Sequence, residues 1–392
     1  MDHNPFDRRQ FLVGAGALAA ASLWPGHARA QAAKLRLGLM LPYTGTYAQL
    51  GIAIENGLKL ALEQAGGKLG GREVEFFKVD DESEPSKATD NANRLITRDK
   101  VDVLIGSVHS GVAMGMLKVA KESGTLMLIP NAGAAAATGA LCTPNVFRTS
   151  FTNWQPVHPL GKVMADRGHK KAVFITWKYA AGEESLASFS EGFAQAGGTV
   201  VKELFVPFPN AEFQALLTEI ASVKPDAVAC FFAGGGAVKF VKDYAAAGLK
   251  EKIPLYGSGF LTEGVLTAQG DAAEGLLTTL HYADSLDNAR NKAFRSAYAR
   301  SYKTEPDVYA VQGFDTGLLL AQALDKSKGD IANVISAMEG AVIDSPRGQW
   351  KMSRAHNPIQ NIYLRRVEKG DNKVIGIAWK ALEDPARGCR LG

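Results

Sequence analysis

Residues 35–42 read LRLGLMLP and predict the first strand of the fold, since leucines alternate along the run and Pro42 ends it. A helical stretch from Ala48 to Ala65 follows and ends at a Gly-Gly pair. The same order recurs as far as residue 280. Further strands are predicted at 74–79, 101–105, 126–129, 172–176, 200–205, 227–232, 253–256 and 276–280, with helices at 87–98, 112–122, 185–196, 212–222 and 237–247.

Strands that alternate with helices over short loops form parallel sheets covered on both faces. Two successive runs of this kind predict an α/β protein with two doubly wound parallel-sheet lobes. The segments 362–367 and 373–379 flank Gly370-Asp371 and predict a closing hairpin on the second lobe.

The composition excludes several classes of protein. The chain has 392 residues, of which 46% are hydrophobic and 21% are charged, which is typical of a globular protein. A net charge of +4, spread along the chain, argues against nucleic-acid binding. No apolar run reaches the ~20 residues that span a bilayer, so no stable membrane insertion is expected.

The first 30 residues predict an export signal. A pair of arginines at 8–9 precedes an uncharged Ala/Gly-rich run over 13–24, and 28–30 reads ARA, a small-residue cleavage site. The order resembles a twin-arginine signal cleaved after Ala30, which implies a periplasmic protein. The alternative is an amphipathic N-terminal helix with a chance arginine pair.

The three cysteines differ in their sequence context. Cys142 and Cys389 stand in loop-like sequence, while Cys230 lies in an apolar run. Because an exported protein meets an oxidising compartment, we predict a Cys142–Cys389 disulfide and a buried free Cys230. Three unpaired thiols are the alternative.

Ligands of open parallel sheets bind beyond the carboxyl ends of the strands. In the first lobe, these ends run into small polar turns at 42–47, 106–111 and 130–134. Turns that open into helices expose N–H groups and positive partial charge, so two of them would cradle a carboxylate without Arg or Lys. The candidates are Tyr43, Ser107, His109, Ser110, Asn131, Ala132 and Gly133. Two ordinary strand-to-helix turns would look the same.

Aromatic residues follow the strands of the second lobe instead. Rings at such positions suit a flat apolar ligand, although core or hinge packing explains any single ring equally well. The candidates are Trp154, Tyr179, Phe232, Gly234, Gly259 and Phe260.

Motifs of catalysis are missing from the sequence. It has no His-Glu-x-x-His zinc pair, and 257–259 falls one residue short of a nucleophile elbow. The acidic run 80–82 fits a solvated loop better than a metal site. We therefore expect no enzyme activity, metal or cofactor. An exported hydrolase that uses Ser110 with His109 is an unfavoured alternative, because neighbours in a turn rarely face each other.

Four landmarks, in this order and spacing, carry a family resemblance: LGLMLPYTG at 37–45, DDESEP at 80–85, LIGS at 104–107 and VFRT at 146–149. The chain resembles the branched-chain amino-acid-binding family of periplasmic solute-binding proteins, which serve ABC importers. The resemblance implies the type I fold, in which a hinge of three crossings joins two lobes around a ligand cleft. It also implies an ABC permease as partner, and we expect a monomer. By resemblance, the first lobe is 34–152 with 284–350, the second is 153–283 with 351–380, and 381–392 is a tail.

The family's binding positions carry over only in part. Ser110 matches the serine that meets the ligand carboxylate, and Asn131 and Ala132 match residues that offer backbone amides. Gly133 stands where the family has a threonine, and Gly259 stands where an acid meets the ligand ammonium. The family's aromatic position holds Gly235, with Phe232 nearby.

The missing acid favours an organic acid without an amino group, since an unpaired buried ammonium is costly. The stretch 147–156 resembles the branch of the family that binds benzoate- or cinnamate-type acids. Amino acids, other small acids, amides and urea remain open, as does a ligand-sensing module that feeds a regulator.

Overall fold

The computed structural model describes Met1 and residues 33–210 and 212–391. The sheets and helices lie within Lys34–Gly392, a unit separate from Met1–Ala33. The predicted signal and its cleavage site therefore lie outside the described residues, apart from Met1. Within the described part of the chain, no helix has the length and apolar character of a membrane span.

A six-stranded sheet forms the first lobe, in the order β2-β3-β1-β4-β5-β6. It is parallel except for the β2–β3 pair. Its strands are β1 (Leu35–Leu41), β2 (Lys68–Leu69), β3 (Arg72–Asp80), β4 (Val103–Gly106), β5 (Leu126–Ile129) and β6 (Val146–Arg148). The helices between them are α1 (Ala48–Gln64), α2 (Pro85–Asn93), α3 (Ser110–Ser123) and α4 (Ala135–Thr138), and a π-helical turn, Arg94–Arg98, follows α2.

The second sheet has nine strands in the order β12-β13-β14-β11-β10-β9-β7-β8, with β15 also paired to β14. Its strands are β7 (Lys171–Trp177), β8 (Thr199–Val206), β9 (Ala227–Phe231), β10 (Leu255–Ser258), β11 (Leu277–Leu280), β12 (Val342–Ile343), β13 (Trp350–Met352), β14 (Pro358–Glu368) and β15 (Asp371–Leu382). Ile343 of β12 and Trp350 of β13 pack in the core of the first lobe, and the other strands belong to the second lobe. The remaining helices are α5 (Trp154–Asp166), α6 (Ala180–Gln195), α7 (Gln214–Val223), α8 (Gly234–Ala246), α9 (Leu266–Gln269), α10 (Ala289–Tyr302), α11 (Val308–Lys326) and α12 (Val334–Met338).

The central strand β1 is buried on both faces of its sheet. Leu37 and Leu39 join one core with Leu320 of α11, and Met40 joins another with Met116 of α3. Helices therefore cover both faces, and the predicted architecture of two doubly wound parallel-sheet lobes is confirmed.

Helix α11 returns to the first lobe although it follows most of the second sheet in sequence. It packs so closely against α1 that a Cβ on Gly57 would overlap with the carbonyl of Ala310, and one on Gly313 with that of Ile54. Only glycine allows this approach. The lobe boundaries drawn from the resemblance stay predictions.

The C-terminal strands close the second sheet. β14 and β15 pair antiparallel across Gly370-Asp371, which confirms the predicted hairpin. β15 continues to Leu382, which pairs with Gln360, so the first two residues of the predicted tail belong to this strand. Beyond it, Cys389 is bonded to Cys142 with 5.5 Å between the two Cα atoms. Cys230 is free and buried on β9.

Candidate functional site

A narrow cavity lies where the strand ends of the two sheets meet. Its walls are aromatic, aliphatic, small or neutral polar residues, and none of them carries a carboxylate or a basic group. They are Tyr47, Leu50, Val108, Ser110, Asn131, Gly133, Phe151, Asn153, Tyr179, Ala181, Phe231, Ala233, Phe260 and Tyr309.

The turn between β4 and α3 supplies a free hydroxyl. Ser110 is the first residue of α3, and its Oγ is buried without a hydrogen-bond partner among the described residues. His109 caps the helix, because its Nδ1 accepts from the N–H of Gly111 at 3.1 Å. The helix N-terminus and the unpartnered hydroxyl together favour a negatively charged group.

A second unpartnered hydroxyl belongs to Tyr309 in the first turn of α11. Its oxygen is buried and has no partner in the described part of the chain. An unsatisfied buried hydroxyl is costly, so a ligand that bonds to it gains free energy without displacing a protein contact. Ser110 and Tyr309 are therefore the two lining residues whose buried hydroxyls have no partner among the described residues.

Hydrogen bonds to residues of other elements fix the turn after β5. The Asn131 amide donates to Gln312 Oε1 at 2.7 Å, and Gln312 Nε2 lies 3.3 Å from His281 Nε2. Gly133 accepts from the backbone N–H of Asn153 at 2.8 Å. A side chain on Gly133 would overlap with the Asn153 amide, which explains why the family's threonine is absent at this position.

Aromatic rings form the apolar part of the cavity. The centroids of Phe151 and Phe260 lie 4.6 Å apart, and Tyr309 lies 6.1 Å from Phe260 at an interplanar angle of 27°. Phe231 approaches Phe260 edge-on at 6.3 Å. Such walls suit a flat aromatic ring.

Contacts between the lobes cover the cavity. The hydroxyls of Tyr47 and Tyr179 lie 3.0 Å apart, and the His109 ring stacks on Tyr179 at 4.5 Å. Burial lowers the pKa of His109 to about 4, so the ring is neutral at pH 7. The N–H of Ala135 also donates to Glu184 Oε2 at 3.0 Å. These contacts close the cleft between the lobes over the cavity.

No acid stands where the family meets an ammonium group. A Cβ on Gly259 would overlap with Arg365 Nη2 and Leu280, so there is no room for a side chain. Arg365 donates to the Gly259 carbonyl at 3.0 Å and is paired with Glu263, both being buried. Glu263, an acid next to this loop, is therefore already paired with a base.

Five of the predicted site residues line the cavity: Ser110, Asn131, Gly133, Tyr179 and Phe260. Gly259 precedes Phe260 and accepts from Arg365 through its carbonyl, and His109 forms part of the lobe contact behind Tyr179. Gly234 packs against the Thr46 carbonyl of the other lobe at a positive φ of 56°.

Three predicted residues of the first lobe have other partners. Tyr43 lies under the Lys78 ammonium, 4.5 Å from the ring centroid. The Ser107 hydroxyl donates to buried Asp81. The N–H of Ala132, expected to meet a ligand, donates to the Ser107 carbonyl at 2.9 Å, so this amide is not available.

Two predicted rings of the second lobe lie outside the cavity lining. Phe232 faces the core, 5.1 Å from Trp177 and 4.6 Å from Phe240. Trp154 stacks on His158 at 4.3 Å, and its Nε1 donates to Glu191 at 3.3 Å.

Sequence reasoning missed nine lining residues: Tyr47, Leu50, Val108, Phe151, Asn153, Ala181, Phe231, Ala233 and Tyr309. Several were within reach, since Tyr47 and Val108 stand in the turns already singled out, and Phe151 and Asn153 stand in the stretch 147–156. Tyr309 had no local signal, because α11 reaches the site only through the tertiary fold. Among the described residues, no cluster of metal ligands is present.

Residues 34–372 match the periplasmic binding protein family. The chain belongs to this family. A solute-binding protein of an ABC transporter from R. palustris, solved in complex with benzoate, is 53% identical, covers 91% of this chain and 99% of its own, and superposes with a TM-score of 0.89.

Two further relatives show the range of the family. A solute-binding protein from Rhodopseudomonas palustris BisB5, in complex with 3,4-dihydroxybenzoic acid, is 34% identical with a TM-score of 0.85, over 90% of this chain and 99% of its own. The Leu/Ile/Val-binding protein homolog 6 of Brucella melitensis is 32% identical over 91% of this chain and 93% of that protein. The predicted family of this binding protein is thereby confirmed.

Proposed function

We propose that the protein is the solute-binding component of an ABC importer and that it captures a benzoate-type aromatic carboxylate. One observation carries the ligand class: an aromatic cavity offers two hydroxyls without a partner among the described residues, Ser110 and Tyr309, and its lining holds no carboxylate and no basic side chain. The ring would occupy the aromatic part of the cavity, beside Phe151 and Phe260, and the carboxylate would accept a hydrogen bond from Ser110 at the start of α3. The relatives crystallised with benzoate and 3,4-dihydroxybenzoic acid support this choice.

Binding proceeds by hinge closure. In an open state the ligand carboxylate first meets the turns of the first lobe. The second lobe then brings Tyr179, Phe231 and Phe260 over the ring, and the contacts between Tyr47, His109 and Tyr179 form. A ligand that touches both lobes shifts the population to the closed state. A membrane permease would receive this closed form, and ATP hydrolysis belongs to another subunit.

The export route belongs to the same proposal. We place the working protein in the periplasm as a monomer, after cleavage of a twin-arginine-like signal behind Ala30. Mass spectrometry of the exported protein tests the cleavage site. A protein retained in the cytoplasm, or one that keeps its first 30 residues, would contradict this route.

A branched-chain amino acid is the second candidate, because curated relatives are Leu/Ile/Val-binding proteins. Its ammonium group would lie in a cavity whose lining offers no carboxylate. Burying an ammonium without a partner costs several kcal/mol, so we rank this ligand below the aromatic acids.

Isothermal titration calorimetry on the mature chain decides between the ligands. Benzoate, 4-hydroxybenzoate and cinnamate are compared with leucine and with cyclohexanecarboxylate. We expect the aromatic acids to bind and leucine to give no heat. Binding of leucine alone would overturn the proposed ligand class. Deletion of the gene for the cognate permease distinguishes a role in import from a sensory role. For the importer component that we propose, the deletion should abolish uptake of labelled benzoate while leaving the binding protein unaffected.

A further inference from the structure

Arg148, at the end of β6, is a buried cation that no acid contacts directly. Its Nε donates to the Ala132 carbonyl at 3.1 Å, its Nη2 to the Ala134 carbonyl at 2.6 Å, and its Nη1 to Asn357 Oδ1 at 2.7 Å and to Thr138 Oγ1. All four acceptors are neutral. Within the described chain, no carboxylate lies within ion-pair distance of this guanidinium.

Two other buried arginines show what is unusual here. Arg347 Nε lies 2.8 Å from Asp315, and Arg365 is paired with Glu263. Burial lowers the pKa of Arg148 to about 10, so the group keeps its charge at pH 7. A buried charge without a counter-ion costs free energy, which suggests that a counter-ion arrives with the ligand.

The turn that Arg148 holds connects this charge to the cavity. A trans peptide directs its C=O and N–H to opposite sides, and this peptide is trans, since the cis bonds of the described chain lie elsewhere. The Ala132 carbonyl faces Arg148, so the N–H of Gly133 faces away from it, and Gly133 lines the cavity. The Ala134–Ala135 peptide, two peptides further along the turn, has the same polarity: the Ala134 carbonyl accepts from Arg148, and the N–H of Ala135 donates to Glu184.

Two carboxylates act on Arg148 from a longer distance, Asp384 and Glu184. Glu184 is itself held by Ala135 and by the Asn153 amide at 2.7 Å. Without the guanidinium, an anionic head group beside Gly133 would face these negative charges alone. Arg148 therefore makes the electrostatic potential beside Gly133 favourable for an anion.

We propose that Arg148 is the counter-charge of the bound carboxylate, and that it acts through the turn 132–135 without touching the ligand. It is a positioning residue that makes the site selective for anions over neutral molecules of the same shape. This inference rests on the proposed aromatic-acid ligand.

The test compares benzoate with benzamide, which has nearly the same shape and no charge. Asn357→Asp places a carboxylate on the guanidinium at a position that already accepts from it. The Nδ2 of Asn357 has no hydrogen-bond partner among residues 33–210 and 212–391, so the exchange breaks no hydrogen bond of this nitrogen there. We expect the benzoate-to-benzamide affinity ratio to fall about tenfold or more, because the positive charge is neutralised. Thr138→Asp repeats the test at a second contact of the same nitrogen.

Asn357→Ala is the matched control, since it removes an acceptor and leaves the charge. We expect it to change both affinities by the same factor. A direct variant, Arg148→Gln, should lower the ratio as Asn357→Asp does, while Arg148→Lys should preserve most of it.

Three outcomes overturn the inference. One is an unchanged ratio in both aspartate variants. Another is an equal loss of both ligands in Asn357→Asp and in Asn357→Ala. The third is that circular dichroism shows Asn357→Asp to be unfolded. This result would mean that the guanidinium does not accommodate an adjacent acid and does not need a counter-charge. A wild-type protein that binds neither compound would instead refute the proposed ligand class.

Discussion

Two serines of one turn should respond in opposite ways to the same substitution. Ser110 Oγ is buried and unpartnered in the described chain, while Ser107 Oγ donates to buried Asp81. Ser110→Ala should therefore weaken ligand binding and spare the unliganded fold. Ser107→Ala should destabilise the unliganded fold and leave ligand binding nearly unchanged.

The magnitude for Ser110 follows from the charge of its proposed partner. A hydrogen bond to a charged group contributes roughly 1.5–3 kcal/mol. Its loss raises the Kd for benzoate by about 10- to 150-fold, since 1.4 kcal/mol corresponds to a factor of ten. Removing a buried hydroxyl without a partner costs the unliganded protein nothing, so its melting temperature should stay or rise.

For Ser107, the bond to Asp81 exists before ligand arrives. Burial already raises the pKa of Asp81 to about 6, and the Ser107 hydroxyl opposes this shift. Its removal should lower the free energy of unfolding by roughly 1–3 kcal/mol at pH 7.5 and change the Kd little.

Titration calorimetry and thermal unfolding of the two variants, with and without benzoate, measure both effects. The reasoning is refuted if Ser110→Ala binds benzoate as the wild type does, or if it lowers the melting temperature of the unliganded protein as much as Ser107→Ala.

Three further predictions concern other parts of the cavity. Tyr309→Phe should raise the Kd for benzoates by several-fold or more without lowering the unliganded melting temperature, since its hydroxyl has no partner in the described part of the chain. Calorimetry that shows unchanged Kd values would remove this hydroxyl from the site. Gly133→Ala should weaken binding at least tenfold, because its Cβ overlaps with Asn153, whereas Gly235→Ala, whose Cβ meets only Thr46 Oγ1 at 3.5 Å, should bind normally; equal affinities would contradict this. Burial lowers the pKa of His109 to about 4 in this closed structure. An open state that exposes the ring to solvent would raise this pKa toward its ordinary value, and binding would then release a proton. Benzoate affinity should then fall as pH drops from 6.5 to 5, by up to about tenfold per pH unit; His109→Gln should flatten this profile, and an equally steep profile in the variant would refute the assignment.

Much of the fold could be predicted because its signals are local. The strands β4 and β5 are short apolar runs, leucines alternate along β1, and the helices α1 and α3 have their own periodicity. The closing hairpin followed from Gly370-Asp371. The return of α11 to the first lobe was not predictable in this way, since its contact with α1 depends on Gly57 and Gly313, which are far apart in sequence.

The polar end of the site was predictable for a related reason. Carboxyl ends of parallel strands meet at one edge of a sheet, so the turns containing Ser110 and Gly133 had to be neighbours. The aromatic end was less accessible, because a shift of one residue in a strand reverses the face. The sequence pattern favours Phe232 as a ligand-binding ring, yet Phe231 lines the cavity and Phe232 packs in the core. Tyr309 shows the remaining limit, since a residue from a distant helix leaves no trace in the strand-end pattern.

The ligand class of this site depends on more than one missing side chain. An acid at position 259 would collide with Arg365, and Arg365 already neutralises Glu263. Removing Arg365 to make room would leave Glu263 buried and unpaired, at a cost of several kcal/mol. At the opposite side, Arg148 would still favour an anion. If the proposed ligand is correct, a change from aromatic acids to amino acids requires concerted substitutions at 259, 263 and 365. The buried charges, more than the cavity lining, would then restrict the site to carboxylates without an amino group.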